Sequence, residues 1–168
     1  MENQITVNME NLTNEEREQL LKLIKKSNNP AKKRWKAQDN GIYYYLGTDG
    51  QIYSCKDAGD SFSKRTYIIG NYFKTKEEAE FEINKGLVYQ ELKDYALEHN
   101  KHEFNWVDPL QDKWTIYYDF GAKRLSVSSW HTIYGMGQIY FSSKTIAESA
   151  IFAVGEDRIK KYLFGVEE

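Results

Sequence analysis

The sequence predicts an α+β protein made of two repeated β-β-β-α units with antiparallel sheets, preceded by an N-terminal strand–helix arm. Three observations predict it. The first is an internal repeat: Asn71-Tyr72-Phe73-Lys74-Thr75-Lys76-Glu77-Glu78-Ala79-Glu80 aligns without a gap on Ile139-Tyr140-Phe141-Ser142-Ser143-Lys144-Thr145-Ile146-Ala147-Glu148. Tyr, Phe, Lys, Ala and Glu match, Thr75 falls on Ser143, and Ile83 falls on Ile151. Such a match describes a strand ending in two aromatics and a capped helix that folds back over the sheet. The second is turn chemistry between strand-like runs, as in Gly47-Thr48-Asp49-Gly50. The third is helix-start chemistry at Thr13, Thr75 and Ser143, each ahead of a helical pattern. The boundaries read as an arm and linker over 1–30, a first unit over 31–100, and a second unit over 101–168 with a short final helix.

Residues 4–9 alternate polar and apolar (Ile5, Val7, Met9), a strand signal. Thr13-Asn14-Glu15-Glu16 is a capping box opening a helix that carries Leu20, Leu21, Leu23 and Ile24 and ends near Lys26, before Ser27-Asn28-Asn29-Pro30. Trp35 to Tyr45 reads as a strand, and Gln51 to Cys55 as its return. Lys56 to Lys64 reads as a polar loop, and Tyr67 to Phe73 as a third strand. Thr75 caps a helix running to about His99, with Glu77 and Glu78 at its positive end. Gly86, inside that helix, marks an expected close approach to the sheet. After a Pro109-bearing connector over 100–113, strands are expected at Trp114 to Tyr118, Leu125 to Trp130 and Gln138 to Phe141. In this second unit Tyr117-Tyr118 corresponds to Tyr44-Tyr45, and Leu125 to Ile52. A helix starts at Ser143, Gly155 interrupts it, and Glu156 to Phe164 forms the last helix, with Gly165 beyond its end.

With 168 residues, the chain is long enough to bury a core without disulfides. No run reaches the roughly 18 apolar residues of a membrane span. The opening stretch lacks the basic and apolar regions of a signal peptide, and Cys55 is the single cysteine. These features give a cytoplasmic expectation. Thirteen Tyr, eight Phe and four Trp make 15% of the chain aromatic; a sheet-rich core built from rings accounts for most of them, and a few Tyr and Trp are expected to serve as interface anchors. The net charge of −2 conceals a segregation: residues 1–21 hold five acids and one base, whereas residues 22–36 hold seven bases and no acid.

The chemistry of known active sites is missing from the sequence. Neither G-x-x-x-x-G-K-[ST] nor G-x-G-x-x-G occurs. His99 and His102, with Glu98 or Glu103, make a weak ligand spacing with no thiol, and imidazoles at a helix C-terminus are the plainer reading. Cys55 ends a strand without a nucleophile signature. Glu77/Glu78 and Glu156/Asp157 match helix N-terminal charge preference, and Asp57/Asp60 lie in a turn-rich loop. The expectation is therefore no catalytic residue, no metal and no cofactor. Lys32-Lys33-Arg34-Trp35-Lys36, followed by tyrosines, is a candidate nucleic-acid contact, set against a sequence pI near 6.0.

The blocks Gly70-Asn71-Tyr72-Phe73-Lys74-Thr75-Lys76-Glu77-Glu78-Ala79-Glu80 and Tyr140-Phe141-Ser142-Ser143-Lys144-Thr145-Ile146-Ala147-Glu148, with Trp35 and Tyr43-Tyr44-Tyr45, carry a likeness. From Asn11 onward the chain resembles small accessory proteins of phages and prophages of Gram-positive bacteria. The resemblance implies a non-catalytic protein that binds and modulates or inhibits a host protein, such as a defence nuclease of the Cas type. Rings outside the expected core supply the contact candidates: Trp106 in the connector, and Trp130 with Tyr134 near the loop before the last strand. Acidic side chains mimicking a nucleic-acid surface would suit a basic nuclease groove. The alternative is a nucleic-acid-binding accessory protein using residues 22–36.

Overall fold

A computed structural model describes residues 12–28 and 34–167, apart from the side chains of residues 26–28. The strand expected over residues 4–9 lies outside the described residues. The chain divides into two compact units, Met1–Trp35 and Lys36–Glu168.

In the first unit α1 (Asn14–Asn28) starts at the capping box. The Thr13 amide donates to Glu16 Oε2 at 2.8 Å, and the Glu16 amide donates to Thr13 Oγ1 at 3.4 Å. The helix passes the expected stop at Lys26 by two residues.

The second unit is α+β. It contains β1 (Ile42–Leu46), β2 (Ile52–Lys56), α2 (Ser61–Ile68), α3 (Lys76–His99), β3 (Lys113–Asp119), β4 (Arg124–Trp130), α4 (Lys144–Val154) and α5 (Glu156–Phe164). β1 and β2 form one antiparallel hairpin, and β3 and β4 form another. Each hairpin is joined by an aromatic-bearing segment through a single bridge, Tyr44 to Phe73 and Trp114 to Phe141. After each bridge comes a capped helix. Thr75 accepts from the Glu78 amide, and Ser143 accepts from the Ile146 amide, both at 3.2 Å.

The sequence reading needs correction at several points. Tyr67 to Phe73 is not a third strand: α2 covers its start, and only Phe73 bridges. Asp60, expected in a loop, caps α2 by accepting from the Ser63 amide at 2.8 Å, and the Thr66 hydroxyl bonds back to the Phe62 carbonyl. These local bonds outweigh the strand-like pattern of Tyr67-Ile68-Ile69. Gln138 to Phe141 likewise shrinks to one bridging residue. Asparagine side chains continue the pairing where backbone does not. Asn71 exchanges two bonds with the Leu46 backbone, at 2.7 and 2.8 Å. Asn100 accepts from the Ser142 amide and donates to the Tyr140 carbonyl. β1 begins at Ile42 rather than Trp35 because the chain turns at Asp39-Asn40, where Asn40 has φ 61°. The bridges equate Tyr44 with Trp114, not with Tyr117, because the second hairpin is longer.

α3 serves both halves. It touches β1 and β2, and also α4 and α5. Near its start it buries Ala79; further on it buries Val88, Leu92 and Ala96 at four-residue spacing. Those three join Phe141, Ala147, Ala150, Val154 and Ile159 in one aliphatic core. Arg158 on α5 grips Glu91 on α3 with two bonds of 2.7 Å. Gly86 does not mark a close approach, because a Cβ built there meets nothing within 4 Å. Gly155 has φ 100° between α4 and α5, and Gly165 has φ 66° at the end of α5. Among the described residues no helix is long and apolar enough to cross a membrane.

Candidate interaction surface

The connector over 100–112 and the loop over 131–139 come together around Trp106. Its ring meets Tyr134 edge-on at 4.8 Å, Tyr140 edge-on at 4.8 Å, and Phe104 at 5.9 Å. Tyr140 is buried; its hydroxyl accepts from the Gly135 amide at 2.6 Å and donates to Gln138 Oε1 at 2.8 Å. The second loop is thus tied to the aromatic segment beneath it.

Lys113 fixes the connector from below. Its side chain is fully buried, and its ammonium donates to the Gln111 carbonyl at 2.8 Å and the Asp108 carbonyl at 3.4 Å. The same ammonium lies 5.5 Å from the Trp106 ring centroid. Carbonyl dipoles and a ring face solvate the cation where water does not.

Of the three rings singled out in the sequence, Trp106 and Tyr134 are in contact. Trp130 ends β4 as the register partner of Lys113. Sequence reading missed the aliphatic side chains on the same two loops. Val107 is 84% exposed, Leu110 89%, Ile133 58% and Met136 99%, beside Tyr134 at 66%. Apolar residues within Pro- and Gly-bearing loops, where no strand or helix pattern claims them, were the signal available. These exposed apolar side chains make the two loops a candidate contact surface.

Of the basic set, Lys32 and Lys33 lie outside the described residues. Arg34 and Trp35 are exposed in the first unit. Lys36, in the second unit, is engaged within the fold: its ammonium is 3.5 Å from the buried Asp57 carboxylate and 5.8 Å from the Tyr67 ring centroid. Asp57 also accepts from the Gly59 amide at 2.9 Å and the Tyr72 hydroxyl at 2.9 Å. The Gly59 amide foremost, then Tyr72 and Lys36, hold its carboxyl below the usual carboxylate range. Burial pushes the Tyr72 phenol up to about 12.

The remaining candidates have local partners. His99 stacks on Tyr95 at 3.9 Å, with Nδ1 2.9 Å from the Tyr95 carbonyl oxygen. His102 packs edge-on against Phe104. The Cys55 thiol donates to the Lys56 carbonyl. Glu78 reaches back to the Lys74 amide, and Glu156 pairs with Lys160. Among the described residues no group of three or more His, Cys, Asp or Glu could hold a metal ion. A cleft of about 380 Å³ opens between α3, β3 and the end of α5, with Tyr89, Tyr117, Ile139 and Phe164 in its walls.

No family model, curated protein or solved structure matches this chain.

Proposed function

We propose that this protein is a non-catalytic binding protein that docks a host protein and modulates or inhibits it, the target being a defence nuclease such as a Cas effector. The observation that carries this reading is the apolar surface on the two loops around Trp106. Leu110 and Met136 stand almost wholly in solvent there, on loops anchored by Lys113 and Tyr140. Apolar anchors on a braced support lose little conformational entropy when covered, which favours tight association. The phage-type resemblance supplies the target class.

Co-purification from a Gram-positive host lysate tests the reading, with wild type run beside the L110D/M136D double variant. A host protein is expected with wild type and not with the variant, while circular dichroism shows the variant folded. Equal recovery with both, or none with wild type, overturns it.

A further inference from the structure

We propose that α1 pairs antiparallel with α1 of a second copy of this chain. Leu20, Leu21, Leu23 and Ile24 lie at consecutive helical angles and give the middle of α1 one apolar arc. Leu21 is 47% exposed and Leu23 62%. Charge is divided about this arc. The acids Glu15, Glu16 and Glu18 precede it with one base, Arg17, among them, and the described bases Lys22 and Lys25 lie within its span and just beyond, with no acid between.

A parallel, in-register pair would set the acidic half of one helix against the acidic half of the other. An antiparallel pair centred between residues 21 and 22 overlays the two apolar arcs and sets the net-acidic start of each helix against the basic end of the other, with Glu18 facing Lys25 as the one oppositely charged pair in register. Glu18 and Lys25 lie seven residues apart on one flank of the arc. A two-fold axis at that centre brings Glu18 of each helix across from Lys25 of the other, so the contact is made twice. Four apolar side chains per helix make a small interface, so the dimer is weak and loosens with salt. This pairing is argued from α1 alone and does not rest on the surface around Trp106.

Sedimentation equilibrium over a range of protein concentrations tests it, on wild type, L23D, E18K and K25E. Wild type is expected to rise from 19.8 kDa toward twice that mass as concentration increases. L23D, E18K and K25E each stay monomeric when alone. An equimolar mixture of E18K and K25E regains the dimer, because both flanking contacts are then between opposite charges. Circular dichroism on each variant confirms that the chain stays folded. A wild type that is monomeric throughout, a dimer that persists in L23D, or a mixture that fails to associate overturns the proposal.

Discussion

The two halves of the second unit share a frame and fill it differently. Each has a hairpin, a bridging aromatic and a capped helix. Yet the first half is filled mainly by rings and polar groups, and the second adds an aliphatic core to its own ring cluster around Trp106. In the first, Tyr43 stacks on Tyr72 at 4.0 Å and 10°, with Asp57, Ser63 and Thr66 buried nearby in the chain. In the second, Phe141 sits with alanines, valines and Ile159. The stretch between the returning strand and the bridge also differs: it folds into α2 in the first half and stays an open loop in the second. The difference teaches that the frame depends on the bridge and the cap. The intervening stretch is left to vary: its exposed apolar side chains end a helix in the first half, at Ile68 and just beyond at Ile69, and stand on an open loop in the second, at Ile133 and Met136.

The comparison is broken most forcefully at the bridging rings. F141A empties a fully buried position and should cost about 3–5 kcal/mol. F73A, at a half-buried position, should cost clearly less. Urea titration of both variants checks this, and equal losses would mean that the two cores are filled alike.

Acid separates the halves next. The Tyr72 hydroxyl donates to a carboxylate, whereas the Tyr140 hydroxyl donates to an amide oxygen. Asp57 has a lowered folded pKa, so its stabilisation is present above the unfolded value near 4 and is lost as pH falls through the folded value. D57N should cost about 2 kcal/mol at neutral pH and flatten the acid limb of a stability–pH curve. Q138A should leave that limb unchanged. Tyr72 acts at the other end of the scale. Its contribution is whole below the unfolded phenol value near 10 and is gone by about 12.

The caps sharpen the equivalence. T75A and S143A should each cost about 1 kcal/mol by chemical denaturation. A negligible loss at either would show that the two helix starts are not equivalent. The smallest effect is expected at Gly86, where G86A should stabilise by about 0.5–1 kcal/mol, because the site is open and helical. A loss of stability there would reveal a contact with the helix face.

What was legible in the sequence was short-range chemistry. Thr75, Ser143, Gly155 and Gly165 placed three helices because caps and left-handed glycines act within a few residues of themselves. α2 was misread because its polar start, Ser61 to Lys64, reads as loop and its end runs into the apolar Tyr67-Ile68-Ile69, although Asp60 three residues ahead of Ser63 was a usable cap signal. The Asn71 and Asn100 clasps depend on partners 25 and about 40 residues away, and no local pattern encodes them. The burial of Lys113 was equally unreadable, since a lysine at a strand start is ordinarily solvated. At the surface, the rings Trp106, Trp130 and Tyr134 were visible by type, whereas Val107, Leu110, Ile133 and Met136 became visible only once the loops were placed.

The claim that the second half carries the docking surface is tested most directly by comparing exposed apolar residues from the two halves. Ile69, just after α2, is 68% exposed, and Met136 is 99% exposed. Binding of the captured host protein is measured by titration calorimetry for wild type, M136D and I69D. The account predicts at least about tenfold weaker binding for M136D, a loss of about 1.4 kcal/mol or more, with I69D unchanged. Weaker binding for I69D with M136D unchanged would contradict it.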